Sequence, residues 1–219
     1  MEQAKLVELI TREVLTQLGS FSRSYTHAKL VSVQVSVRHL HLAQPEIDTL
    51  FGKNYHLTKQ RDLYQPGEFA AEEVVTLVGS KLRSIANVRV LGPVRQRTQV
   101  EISRTDAISL GIDAPVRRSG ELDGSAAVTL VGPKGSITLA DCCIVANRHI
   151  HISTVEARQW DLQADDVITV KVLGSKKTIF GDVQVRVGDN FKLVMHIDTD
   201  DANAADIICG TQVEILEKE

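Results

Sequence analysis

The amino-acid sequence predicts a mainly β protein built as two similar β-barrels with short helices, preceded by a short amphipathic N-terminal helix. Three observations predict it. From Lys29 onward the chain is mostly short, β-branched runs broken by Gly, Pro and Asp, a spacing that belongs to barrels or sandwiches rather than to alternating strands and helices. The motif Arg-His-x-His is written twice, as Arg38-His39-Leu40-His41 and Arg148-His149-Ile150-His151. Stretches beyond the motif also repeat in the same order, as after a duplication, and two similar barrels are the natural product of a duplicated β unit.

Element by element, residues 1–18 read as a surface helix, with Leu6, Leu9, Ile10, Val14 and Leu18 on one face and Glu2, Lys5, Arg12 and Glu13 elsewhere. Gly19-Ser20-Phe21-Ser22-Arg23-Ser24 stops the helix and makes a linker. Strands are then predicted around Val31–Val37, Val74–Val78, Val88–Leu91, Gln99–Ile102, Ala127–Val131, Val167–Val172, Val183–Val187 and Lys192–Ile197. A helix should follow each histidine pair. Gln44-Pro45-Glu46 places proline where a first helical turn accepts it, and Ser153-Thr154-Val155-Glu156 is a capping box.

The repeat can be followed along the chain. Thr76-Leu77-Val78-Gly79-Ser80-Lys81 is echoed by Thr169 to Lys176, and Val100-Glu101-Ile102 with Asp106-Ala107 is echoed by Met195-His196-Ile197 with Asp201-Ala202. The two histidine pairs lie farther apart than the two later segments, so the first half must carry an insertion.

Composition excludes several functions. A net charge of −3 and aromatic content of 4% argue against a nucleic-acid-binding surface, which needs cations and stacking platforms. No apolar stretch is long enough to span a membrane, and the polar face of the N-terminal helix is mixed in sign, unlike a membrane-surface helix. Three cysteines, with Cys142 and Cys143 adjacent, make no disulfide framework and are read as thiols of a reducing compartment.

On a strand, residues i and i+2 face the same way, so each His-x-His sets two imidazoles side by side. The repeat register makes Glu101 the counterpart of His196. Each half then offers three metal ligands: His39, His41 and Glu101 in one, His149, His151 and His196 in the other. Three protein ligands with an open fourth position is the arrangement of catalytic rather than structural zinc. A cupin also carries His-x-His with a nearby glutamate, but Glu46 and Glu156 fall at predicted helix starts. His27 and His56 lie outside the pattern and are expected at the surface. Arg95 lies shortly before Glu101, across one tight turn, within reach of the metal's open face; most other arginines are read as solvated.

Longer strings carry a family resemblance. Gln65-Pro66-Gly67-Glu68-Phe69-Ala70-Ala71-Glu72, Asn87-Val88-Arg89-Val90-Leu91-Gly92-Pro93, Gln99 to Ala107, Asn147 to His151 and Met195 to Asp200 closely resemble the PduL-type phosphotransacylases, the phosphate propanoyltransferases. The likeness runs from about Val33 to Ala205. Val37 departs from it, standing where the family usually has Asn, whereas the second copy keeps Asn147; Arg61 stands where the family often has lysine.

The resemblance implies two helix-capped β-barrels with two zinc ions between them and CoA as a substrate. The first strand would cross over to the C-terminal half, giving units of 28–37 plus 147–216 and of 38–146 behind a separate helix at 1–20. It implies reversible conversion of acyl-CoA, most simply propanoyl-CoA, and phosphate to acyl-phosphate and CoA. Arg95 would contact phosphate, and Ser36, Arg61, Arg89 and Asn203 would contact CoA. A coordinated thiol loses its proton near neutral pH, and the second metal can polarise a carbonyl or hold a phosphate oxygen. Transfer should be direct, without an acylated cysteine. The resemblance further implies a homo-oligomer of the bacterial cytoplasm. Residues 1–20 look like an encapsulation peptide that would dock on microcompartment shell proteins or encapsulated enzymes. The competing function is a zinc-dependent hydrolase of acyl-CoA or related esters using a metal-bound hydroxide, with a non-enzymatic metal-binding module a distant third.

Overall fold

The structure, a computed structural model, describes residues 28–218; the helix predicted over 1–18, its linker and His27 lie outside the described residues. The strands form two closed barrels. In one, β1 (Leu30–Ser36) pairs with β13 (Val194–Asp198), followed by β10 (His149–Ile152), β12 (Ile179–Val187), β11 (Val167–Val172) and β14 (Gln212–Lys218), which returns to β1. In the other, β4 (Phe69–Val78) leads through β5 (Ser84–Gly92), β2 (His39–His41), β6 (Gln99–Glu101) and β9 (Ser136–Ala146) to β8 (Ala126–Val131), which pairs with β4. Two edge strands, β3 (Lys59–Asp62) on β4 and β7 (Val116–Arg117) on β9, complete the second sheet.

The rings are built alike. β10 runs antiparallel to β13 and parallel to β12, as β2 runs antiparallel to β6 and parallel to β5. β1 lies parallel to β13 in one barrel where β9 lies parallel to β6 in the other. The chain therefore crosses between barrels twice. β1 of the first barrel runs into β2 of the second, and β9 of the second runs into β10 of the first. Each crossing ends in an Arg-His-x-His, so the topology itself brings the two motifs face to face.

Each barrel buries its own apolar core, around Leu40, Leu77, Val90, Val100 and Leu130 in one and Ile150, Ile168, Val185 and Met195 in the other. The residues between the histidines, Leu40 and Ile150, are fully buried, so period-two alternation turns the histidines to the opposite face. Helices cap the rings. α1 (Gln44–Phe51) has the predicted proline in its first turn, and α3 (Thr154–Gln159) carries the predicted capping box between Ser153 and Glu156. Two more helices, α2 (Arg104–Leu110) and α4 (Thr199–Ala205), follow the strands of Glu101 and His196, capped by Ser103 and Asp198. α2 seats closely. A Cβ at Gly79 would lie 2.0 Å from the Leu110 carbonyl oxygen, so only glycine allows the β4–β5 turn under that helix end.

The insertion in the first half is β3 with the turn that follows it. Between α1 and β4 the chain adds Lys59–Asp62 and Leu63 to Glu68, where the second half passes from α3 to β11 by a short loop. Among the described residues, no helix is long and apolar enough to cross a membrane.

Candidate active site and metal centre

Strand register brings each third ligand beside its pair. His39 lies opposite Glu101 in the β2–β6 ladder, and His149 lies opposite His196 in the β10–β13 ladder. The equivalence of Glu101 and His196 is therefore one of position in the sheet. Within each trio, His39, His41 and Glu101 or His149, His151 and His196, the potential ligand atoms all lie within 4.8 Å of one another. His149 and His151 have ring centroids 5.0 Å apart, and each is within 5.2 Å of the His196 ring. A small pocket touching Ser36, His39, Glu101, Asn147, His149 and His196 shows that the trios share a wall.

The trios have the chemistry of metal ligands. His39 Nδ1 donates to the Val37 carbonyl at 2.8 Å, and His149 Nδ1 donates to the Asn147 carbonyl at 2.9 Å. This fixes the tautomer and leaves Nε2 with a free lone pair. Because a main-chain oxygen does this, valine at position 37 serves as well as asparagine. The Asn147 side chain instead binds the Arg148 amide and the Asp182 carbonyl. His41 Nδ1 and both ring nitrogens of His151 are buried without a hydrogen-bond partner. Buried polar atoms are rarely left so, and a coordinated cation is the usual reason in a histidine cluster. Burial, reinforced by neighbouring positive groups, lowers His41 and His151 to about 3 and His196 to about 4, and it lowers His149 as well. Neutral imidazole is the form that binds metal. Burial favours protonation of Glu101, but the surrounding imidazoles and Arg95 outweigh it and hold the carboxyl below the usual range.

Both trios open on a cavity of about 820 Å³ between the barrels. Arg95 lines it, with its backbone N–H on the Leu42 carbonyl at 2.9 Å and its guanidinium 3.6 Å from the Glu68 carboxylate. Ser36, Arg61 and Arg89 also line the cavity. Arg89 spends donors on the Ala71 and Glu72 carbonyls of β4, and Arg61 is exposed on β3. Asn203 is exposed on α4 and is not among the cavity-lining residues. His56 is exposed, as expected. Cys142 and Cys143 are buried, and burial pushes their thiols up to about 11 and 12, whereas Cys209 is exposed at the cavity rim.

Several residues that hold the site together are not singled out by sequence reasoning. Gln99 is buried and joins Glu101 to the 117–120 loop: its amide N–H donates to Glu101 and to Ser119 Oγ, and its oxygen accepts from the Gly120 amide at 2.7 Å. Arg186 lies next to His151 in the β10–β12 ladder and lines the cavity. Its signal was available, since Gln184 and Arg186 alternate with core valines on a predicted strand. The arginine of the first motif forks onto Asp106, with Arg38 Nε 2.8 Å from Oδ2 and an Nη atom 2.7 Å from Oδ1. Its counterpart Arg148 reaches Asp201 at 3.6 Å. Gln65 crosses from the insertion to the other barrel, donating to the Lys192 carbonyl at 2.8 Å and accepting from the Lys192 amide at 3.0 Å.

Comparison with known proteins agrees with this geometry. Residues 32–208 match the family described as phosphate propanoyltransferase. A phosphate propanoyltransferase of Lachnoclostridium phytofermentans is 53% identical over 210 residues, covering 96% of this chain and 98% of that protein. One from Thermotoga maritima is 47% identical, covering 85% and 89% of the two chains, and one from Listeria monocytogenes is 41% identical, covering 97% and 94%.

Proposed function

The chain belongs to the phosphate propanoyltransferase family and is an enzyme of that acyltransferase type, and on that premise we propose that it exchanges the CoA of propanoyl-CoA for phosphate at a two-zinc site between its barrels. The observation that carries this reading is the pair of ligand-ready trios facing one cavity that also holds Arg95. His39, His41 and Glu101 would hold one ion and His149, His151 and His196 the other. When bound, such ions acidify a thiol and polarise acyl or phosphate oxygens.

The chain's own groups do the rest. Gln99 fixes one oxygen of Glu101 and turns the carboxylate toward His39. Arg95 neutralises phosphate as it enters or leaves, exchanging its contact with Glu68 for the substrate oxygens. Ser36, Arg61, Arg89 and Asn203 serve CoA, with Arg61 at the mouth where a long substrate enters. In the forward direction a phosphate oxygen bonds to the acyl carbon, the thioester C–S bond breaks, and the departing sulfur leaves as CoA thiolate or takes a proton. Buried, high-pKa Cys142 and Cys143 are unsuited to carry the acyl group, and transfer is taken as direct; trapping an acylated Cys209 that turns over at the catalytic rate would overturn this. We take 28–37 plus 147–216 and 38–146 as the two domains, and residues 1–20 as a tag that takes a homo-oligomer to the shell proteins of a bacterial microcompartment. Deleting residues 1–20 should then leave activity intact and abolish shell association.

Thiol release from propanoyl-CoA with and without phosphate tests the reaction. Release that needs phosphate supports transacylation; release that ignores it means a hydrolase. Metal analysis tests the ligands: Glu101→Ala and His196→Ala should each lose about half of the bound metal, and full retention by both would overturn the assignment.

A further inference from the structure

We propose that Arg186 binds phosphate as the second arm of a two-arginine clamp, opposite Arg95 and contributed by the other barrel. The inference rests on the transacylase reading and assigns a role that this reading leaves open. β12 runs parallel to β10 with Arg186 directly beside His151, so the guanidinium stands on the ligand-bearing face of the sheet. It lines the same cavity as Arg95, and the two positive charges bear on one another.

Their surroundings differ. Arg95 has the Glu68 carboxylate 3.6 Å away. Among the described residues no carboxylate lies within ion-pair distance of Arg186, whose Nε donates to Gln184 Oε1 at 3.5 Å. Burial and the facing charges of Arg95 and Arg118 work against the charged guanidinium, and the more distant Glu101 offsets only part of this. An anion between the two arginines removes that cost, and a planar fork from each side fits the oxygens of a tetrahedral anion.

Position decides which anion. The CoA thiol must reach the histidine trios, and its pantetheine arm then holds the diphosphate away from them, toward Arg61 at the exposed mouth. Arg186 sits beside His151 at the floor, so it meets the small anion. A purely structural Arg186 would act through Gln184 on the histidine strand and would disturb metal binding.

The experiment compares the metal-loaded wild type with Arg186→Gln and Arg186→Lys in steady-state kinetics, metal content and calorimetric titration with inorganic phosphate. For Arg186→Gln the phosphate KM should rise at least about tenfold, the KM for propanoyl-CoA should change less than about threefold, and metal content should be unchanged. Arg186→Lys should fall between wild type and Arg186→Gln, because it keeps the charge and loses the fork; it also carries the test if the glutamine variant does not fold. An unchanged phosphate KM, parallel rises in both KM values, or loss of metal would overturn the proposal. If the wild type shows no phosphate-dependent thiol release, the transacylase reading fails instead. Calorimetry then decides the clamp alone: phosphate binding weakened in both variants supports it, and equal or absent binding in all three proteins overturns it.

Discussion

Asp106 is the residue on which most local order converges. It is buried, completes the capping box of α2 with Ser103, and takes the forked Arg38 just before the His39 pair. Asp106→Ala should destabilise the protein by about 2–3 kcal/mol, the lower part of the range for such groups because Arg38 is partly solvated. Urea unfolding checks this, and a loss under about 0.5 kcal/mol would show the fork to be ornamental. The thiols make a second prediction, of the opposite kind to a catalytic role. Burial raises Cys142 and Cys143 from an ordinary value near 9 to about 11 and 12, so folding favours the protonated thiol. Their contribution is fully present below pH 9 and is lost as pH rises from 9 toward 12, because the unfolded chain gives up those protons first. Between pH 8 and pH 10.5 the wild type should lose about 2 kcal/mol more stability per thiol than a variant with alanine at that position. Equal losses would mean that water reaches the thiols. The ligands were legible in the sequence because strand alternation and repeat register need only spacing. Arg186 was legible only in part: its alternation with core valines sets it on the face away from the core, but only the parallel β10–β12 pairing shows that this face carries His151.

Among the elements, the insertion is the one that breaks the likeness of the halves. β3 is exposed throughout, Lys-Gln-Arg-Asp, with no apolar face to announce a strand, so the sequence showed that an insertion exists but not what it forms. The helices α2 and α4 escaped for a related reason: each is too short for periodicity, and only their caps, Ser103 with Asp106 and Asp198, mark them. The turn after β3 is tied to the opposite barrel by Gln65, which is almost fully buried and occupies both the N–H and the carbonyl of Lys192, while the Lys192 ammonium lies over the Tyr64 ring. Gln65→Ala leaves two backbone groups unpaired, an expected local cost of about 1–3 kcal/mol. Hydrogen exchange at the Lys192 amide should accelerate roughly tenfold or more in that variant, while amides in β10 and β13 keep their protection. If Lys192 exchanges at the wild-type rate, the insertion does not strap the barrels together.

For the whole molecule, the crossing topology makes the two barrels unequal as fragments. The internal repeat predicted two similar barrels but not which strands close which ring; that division came from the family resemblance, because sequence distance hides a pairing between β1 and strands far downstream. Residues 38–146 contain β2, β4, β5, β6, β8 and β9, every strand of one closed ring. Residues 147–219 contain β10 to β14 but lack β1, which lies parallel to β13 and antiparallel to β14. Without β1 the ring opens between those two strands, and buried Val31 and Val33 leave their core unfilled. The fragment 38–146 should therefore unfold cooperatively in urea on its own. The fragment 147–219 should show no cooperative transition until a peptide of residues 28–37 is supplied, when strand addition restores the missing ladders. Circular dichroism with and without the peptide reads this directly. A cooperative transition in 147–219 that the peptide does not shift would mean that β1 is an accessory to the barrel. In that case the metal trios would not owe their juxtaposition to the paired crossings, and the first crossing would only tether one finished barrel to another.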